Sequence, residues 1–164
     1  MPTELQNRII EISKKNCLSH LGSCLSVVGI LDNIYSEKRE DDIVILSSGH
    51  AGLALYVVLE KYLGQDAQHL FDKHGVHPNR SLIEGIYLST GSLGMGVTVS
   101  VGAAIASPNK TVYCVLSDGE CAEGSVWESL SFINRQNITN LRLFINANGF
   151  SAYDLVDIEN LKNR

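Results

Sequence analysis

The stretch Ser117–Asn148, SDGECAEGSVWESLSFINRQNITNLRLFINAN, decides the fold of this chain. Just before it, Thr111-Val-Tyr-Cys-Val-Leu116 is an apolar run rich in β-branched and aromatic residues, the composition of a strand buried on both faces. The run ends on Ser117-Asp118-Gly119, which sets a carboxylate at the carboxyl end of that strand with a glycine beside it. A helix is expected over about 123–135, then a second buried strand, Leu141-Arg-Leu-Phe-Ile145, ending on Asn146-Ala147-Asn148-Gly149. Asp118 and Asn148 thereby fall at the same edge of a parallel sheet, joined by one βαβ crossover. In open α/β sheets, ligands bind at that edge.

Two oxygen-bearing side chains beside glycines suit a magnesium ion shared with phosphate. Magnesium prefers hard oxygen ligands, takes few of them from protein, and fills its shell with phosphate and water. The plainer alternative is that Asp118 caps the helix and Asn148 makes a turn, as both residue types often do. The paired placement on successive strand ends favours the metal. The segment resembles the thiamine diphosphate signature, GDG followed after a helix and a strand by N, with Asp118 and Asn148 standing 30 positions apart. Its EG-x-x-WE and NL-x-x-x-I surroundings look like transketolase in particular. The family has Gly where this chain has Ser117, and commonly Asp where it has Asn146.

The rest of the composition is compatible with that resemblance. A chain of 164 residues reads as one domain, 1–164, with room for a sizeable core, and 45% hydrophobic with 19% charged residues excludes a disordered chain. A net charge of -5 without aromatic-basic interleaving argues against nucleic acid. No apolar run reaches transmembrane length, and the N-terminus lacks a signal-peptide pattern. Cys17, Cys24, Cys114 and Cys121 have no zinc spacing and read as reduced thiols, so a cytoplasmic protein is expected.

Working outward, 3–15 is an amphipathic helix with Thr3 and Gln6 as its capping box, and 25–35 a second helix after a loop. Ile43-Val-Ile-Leu46 is a short buried strand, and Ser47-Ser-Gly-His50 opens a helix over 51–63 that Gly64 closes. A strand, a glycine turn and a helix start form an anion site, where a histidine can hydrogen-bond a diphosphate. The plainer reading there is that Ser47 or Ser48 caps the helix. His74 and His77 stand three apart, but Gly75 and Pro78 oppose a regular helix presenting both to a metal, and His74 reads as structural or exposed. The segment 65–85 gives no clear element. Gly91, Gly94 and Gly96 let a backbone lie against a flat ligand, and 94–106 is a small-residue helix for a core or a subunit interface.

The resemblance extends from about 5 to 151, with its motifs in the family order. It implies an α/β three-layer domain, a mainly parallel sheet with helices on both faces, shortened at the C-terminus: the diphosphate half of a thiamine diphosphate-binding fold. It implies catalytic roles for His20, His50 and His77, with Ser19 and Asn79 departing from the family's motifs. Cofactor contacts are implied for His50, Gly91, Ser92, Leu93, Asp118, Gly119, Glu120, Glu123 and Asn148. Metal ligation is implied for Asp118, Asn148 and the backbone carbonyl of Phe150. Glu123 and Glu128 match positions at the family's subunit contact.

The implied cofactors are thiamine diphosphate and Mg²⁺, and the implied substrates sugar phosphates. No glutamate here matches the one that activates the cofactor's aminopyrimidine, so a C-terminal pyrimidine-domain partner subunit is expected, in a hetero-oligomer that also self-associates. On this reading the chain is the N-terminal subunit of a split transketolase. Ser117, Asn146, Ser19 and Asn79 support a second reading, a non-catalytic interaction or regulatory subunit that keeps the fold. A third, a nucleotide-binding module, lacks any GxGxxG or Walker A loop.

Overall fold

A computed structural model of the chain describes residues 1–152 and 154–164. Its residues fall into two compact units, Met1–Lys38 with Gly49–Gly91, and Arg39–Ser48 with Ser92–Arg164.

The first unit is helical. Helix α1 (Glu4–Asn16) starts at the expected capping box, with Thr3 and Gln6 each bonding the other's backbone amide. Helix α2 (Leu21–Glu37) begins a turn earlier than the sequence suggests, with His20 at its N-cap position. Helix α3 (Gly52–Leu63) is apolar on all sides and accordingly buried from Gly52 through Leu59. It ends on Gly64 at φ 67°, the left-handed closure expected of that glycine. Helix α4 (Ala67–His74) fills part of the stretch that the sequence leaves open. Its signals are local: Asp66 accepts the amide of His69, and Gly75 closes the helix at φ 73°. One ion pair laces three of these helices, since Arg8 Nε and Nη2 bind the two carboxylate oxygens of Glu60, at 2.9 and 3.0 Å. The same Glu60 accepts the first amide of α4, from Ala67. Ile9, Ile12, Leu31, Leu53, Tyr56, Leu59 and Leu70 form the core, each side chain contributing about 1.5–3 kcal/mol by leaving water.

The second unit holds the sheet. Strands β1 (Ile43–Leu46), β2 (Val112–Ser117) and β3 (Leu141–Asn146) are all parallel and ordered β1-β2-β3. All four residues of β1 and all of β2 but Tyr113 are buried, which agrees with their continuous apolar runs. Helix α5 (Met95–Ala106) packs on β2, and α6 (Gly124–Gln136) forms the crossover from β2 to β3. In register, Ser117 pairs with Asn146, so the two strands end level with each other. Asn140 supports the start of β3 by donating to the carbonyl of Ala104 in α5 and to those of Ser107 and Lys110 in the α5–β2 connection. A short helix α7 (Ile158–Lys162), capped by Asp157, ends the unit in the region where the sequence allows one. The α/β class with a parallel sheet is therefore as expected.

Candidate active site

The carboxyl ends of β2 and β3 carry the oxygen pair that the sequence brings together. Asp118 directly follows β2 and is 1% exposed. One of its carboxylate oxygens accepts the amide of Gly119 at 2.9 Å, the other that of Gly149 at 2.7 Å. The second bond ties the end of β2 to the turn after β3. In that turn Asn148 Oδ1 accepts the amide of Phe150 at 2.9 Å, and Gly149 takes φ 83°. Gly119 faces Ser151, which an added Cβ would approach at 3.2 Å. Each oxygen of Asp118 keeps a lone pair beyond the bond described.

Ser117 replaces a glycine of the resembled motif without backbone strain. It lies in β2, is buried, and is not among the residues with positive φ. Its hydroxyl accepts the amide of Glu120 at 3.3 Å. Glu120, in the 3-10 turn Gly119–Ala122, is 0% exposed. Its carboxylate turns inward and collects the Ser47 hydroxyl at 2.6 Å, the Gly94 amide at 3.0 Å and the Ser117 amide at 2.8 Å. Ser47 therefore does not cap α3, whose N-cap is Ala51 with no side-chain bond. Sequence reasoning missed this link, because 73 positions separate Ser47 from Glu120.

Gly94, at φ 77°, leads into α5, and an added Cβ would meet Ser125 Oγ at 2.5 Å and Glu123 Cβ at 3.0 Å. Ser92, Leu93 and Glu123 are exposed. Burial pushes the thiol of Cys121 up to about 11 and that of Cys114 up to about 12, with Glu120 adding to both. Neither sulfur is a thiolate near neutrality, so cysteine chemistry has no place at this edge.

The first unit gathers the imidazoles. His50 sits in the 3-10 turn Gly49–Ala51 that precedes α3, half-buried, with its ring centroid 5.3 Å from that of His20. Burial foremost, then the neighbouring His20 and His77, hold His50 below the usual histidine range. Gly91 lies under the ring of His77, where an added Cβ would come within 3.1 Å of Cδ2. The Thr90 amide donates to the Pro78 carbonyl and the Arg80 amide to Ser89 Oγ, fixing the His77 loop along the glycine segment. Gly49 is equally constrained, since a Cβ there would meet the Thr90 carbonyl at 2.5 Å. Thr90 Oγ1 is buried without a hydrogen-bond partner among the described residues. His74 is structural: it pairs with Glu84 at 3.0 Å and lies away from solvent.

The transketolase thiamine diphosphate binding domain model matches residues 20–163. The chain belongs to the transketolase family. It is 27% identical, over 97% of its length and 65% of the relative's, to one of the subunits of an apulose-4-phosphate transketolase from Phocaeicola vulgatus. It is 31% identical, over 80% of its length and 55% of the relative's, to a 6-deoxy-6-sulfo-D-fructose transketolase subunit of a Clostridium species. A transketolase mutant from Pichia stipitis shares its fold, with a TM-score of 0.77 and 24% identity over 90% of this chain and 26% of that one. The chain thus spans between about half and two-thirds of the length of these two relatives.

The donor set fits the magnesium that a transketolase site implies. A buried carboxylate, an amide oxygen and a backbone carbonyl are hard oxygen donors, and few in number, as magnesium takes them. Among the described residues no group of three or more His, Cys, Asp or Glu could hold a metal. The buried hydroxyl of Thr90 fits a ligand as well, being a polar group left without a partner. Among the described residues no helix is long and apolar enough to cross a membrane.

Proposed function

We propose that this chain is the thiamine diphosphate-binding subunit of a split transketolase. With a partner chain carrying the pyrimidine domain, it moves a two-carbon ketol unit from a ketose, free or phosphorylated, to an aldose acceptor. The observation that carries the reading is the pair Asp118 and Asn148 on level, adjacent strand ends, in a chain whose relatives are named as transketolase subunits. Asp118, Asn148 and the Phe150 carbonyl would hold Mg²⁺. Gly119 brings its backbone close to them without a side chain in the way.

His50 would donate one ring N–H to the diphosphate. Because burial and its neighbours keep its imidazole neutral near pH 7, it carries a single ring proton there. Gly91, Ser92 and Leu93 would lie along the cofactor, and Glu123 at the contact with the second chain. The cofactor, when bound, supplies the carbon nucleophile that side chains lack. His20 and His77, both exposed, can give or take a proton at sugar hydroxyl oxygens. The chain is read as one diphosphate-binding domain over 1–164, in a cytoplasmic hetero-oligomer.

The test is affinity purification of the chain from its native extract, with mass spectrometry of the eluate for protein, thiamine diphosphate and magnesium. A pyrimidine-domain partner carrying near-stoichiometric cofactor is expected. A partner that stays without cofactor after thiamine diphosphate and Mg²⁺ are added would leave a non-catalytic subunit.

A further inference from the structure

We infer that Glu120 is a positioning residue for the metal and diphosphate, one that presets their loops without touching either. The inference rests on the cofactor reading above and deepens it. A fully buried carboxylate is costly unless every lone pair has a donor. Among the described residues no cation pairs with Glu120, and what stabilises it is a ring of neutral donors from three separate segments. Ser47 follows β1, Gly94 leads into α5, and Ser117 closes β2.

One carboxylate oxygen takes the Ser47 hydroxyl and the Gly94 amide, the other the Ser117 amide, with the Ser117 hydroxyl at 3.4 Å. The next residue along from Ser117 is Asp118, the proposed metal ligand, and Ser92 and Leu93 directly precede Gly94. The carboxylate therefore fixes the backbone next to Asp118 and next to the Ser92–Leu93 pair. Ser117 adds a second tie where the family's glycine has no side chain, because its hydroxyl also accepts the Glu120 amide.

The donor pattern makes glutamine a sharp probe. An amide at 120 has one accepting atom, whereas the carboxylate has two. If its oxygen faces Ser47 and Gly94, its NH₂ opposes the Ser117 N–H. If it is turned over, the NH₂ opposes the Gly94 N–H. Either way one buried backbone donor loses its acceptor, although side-chain size is unchanged.

The experiment uses the full chain with its partner and compares wild type, Glu120→Gln and Ser47→Ala. Two readouts are taken at a temperature where all three are folded: calorimetric titration with Mg²⁺-thiamine diphosphate, and amide hydrogen exchange at Gly94 and Ser117. Glu120→Gln should exchange faster at one of these two amides and bind the cofactor about tenfold more weakly or worse. Saturating cofactor should restore turnover, which a general loss of structure would not allow. Ser47→Ala leaves both amide bonds in place and should show a smaller change in affinity. It keeps the question open to measurement if Glu120→Gln does not fold.

Unchanged cofactor affinity in Glu120→Gln, with or without faster exchange, overturns the positioning role. So does Ser47→Ala with wild-type affinity when Glu120→Gln cannot be folded. A wild-type complex that takes up no cofactor, while Glu120→Gln still loosens an amide, overturns the cofactor reading and leaves Glu120 a structural clamp.

Discussion

Asp118 accepts the amide of Gly149 at 2.7 Å, so the acid that ends β2 fixes the turn that follows β3. The same carboxylate is the proposed metal ligand, and the two duties separate by substitution. Asp118→Ala strips the acceptor from two amides and should cost about 1–3 kcal/mol of stability. Asp118→Asn has one accepting oxygen for these two amides, so one N–H loses its acceptor and the variant should fall between wild type and Asp118→Ala in stability. Both should lose Mg²⁺-dependent cofactor uptake, Asn by about tenfold or more, because a neutral amide is a poorer magnesium ligand than a carboxylate. Thermal melts and calorimetric titration on the same samples check this. Full Mg²⁺ affinity in Asp118→Asn would remove the metal role.

Two glycines of α5 should respond in opposite directions to the same methyl group. A Cβ at Gly96 would stand 2.5 Å from both Cβ and Oγ of Ser47. Gly96→Ala should therefore be overpacked and lose about 1–3 kcal/mol. Gly102 lies in the same helix with nothing within 4 Å of an added Cβ. Gly102→Ala should gain about 0.5–1 kcal/mol from helix propensity. Urea denaturation of the pair gives the comparison. A stabilised Gly96→Ala would mean that the end of β1 does not approach α5 as closely as described.

The sequence is legible wherever the signal is local. The βαβ unit from Thr111 to Asn148 announces itself because two apolar runs and a helix of different periodicity succeed each other within one short stretch. Thr3 and Gln6 announce the start of α1 for the same reason. The second apolar run, expected to be buried, instead forms the outer strand β3, where only Asn146 is buried and Phe144 and Ile145 are exposed. Helix α4 escapes notice although Asp66 and Gly75 bracket it, because eight residues between a glycine and a proline turn hold too few apolar positions to show a period. The start of α2 reads late because His20 offers no side-chain cap to mark it. The inward turn of Glu120 is not readable at all, since its donors come from segments that are distant along the chain. His20 and His77 enter through the resemblance, His50 also through its place at a strand–turn–helix anion site, and their grouping in one unit comes from the fold.

Thr90 should tell a ligand contact from a defect. Its hydroxyl is buried with no partner among the described residues. Removing an orphaned buried hydroxyl while keeping the branched shape should stabilise the free chain, so Thr90→Val should gain about 1 kcal/mol. The same variant should bind thiamine diphosphate more weakly if the hydroxyl is satisfied by the cofactor. Stability is read by urea denaturation and affinity by titration. A gain in stability with unchanged affinity would assign the hydroxyl to strain alone.

Glu84 should set part of the acid limit of stability. The Lys73 ammonium foremost, then the Ser81 hydroxyl and His74, hold its carboxyl down to about 2. The carboxylate receives Lys73 Nζ at 2.8 Å and His74 Nε2 at 3.0 Å. A carboxyl whose folded pKa lies below its unfolded value of about 4.3 stabilises fully above that value. The contribution disappears as pH falls from there towards about 2. Glu84→Gln should cost about 1–3 kcal/mol at pH 7, and the difference from wild type should shrink at acid pH. Denaturation curves collected from pH 7 to about pH 3 follow it, and a difference independent of pH would rule out the charge.

His50 gives the opposite test, close to neutrality. Burial, with His20 and His77 behind it, depresses its pKa below the ordinary value of about 6.5. Below that value the unfolded chain binds a proton that the folded chain resists, so stability rises with pH through the window and is fully present above it. As pH falls from about 6.5 towards the folded pKa, the contribution is lost. His50→Gln keeps a donor of similar reach but does not titrate, and should flatten that part of the pH dependence. Cofactor affinity gives a second reading, because a neutral His50 offers the diphosphate one N–H whereas a protonated ring would add charge. Thiamine diphosphate binding should therefore depend on pH in wild type, over the window in which His50 titrates, more than in His50→Gln. Equal slopes of stability against pH in the two proteins would show that His50 keeps its ordinary pKa and that the imidazole cluster does not hold it neutral.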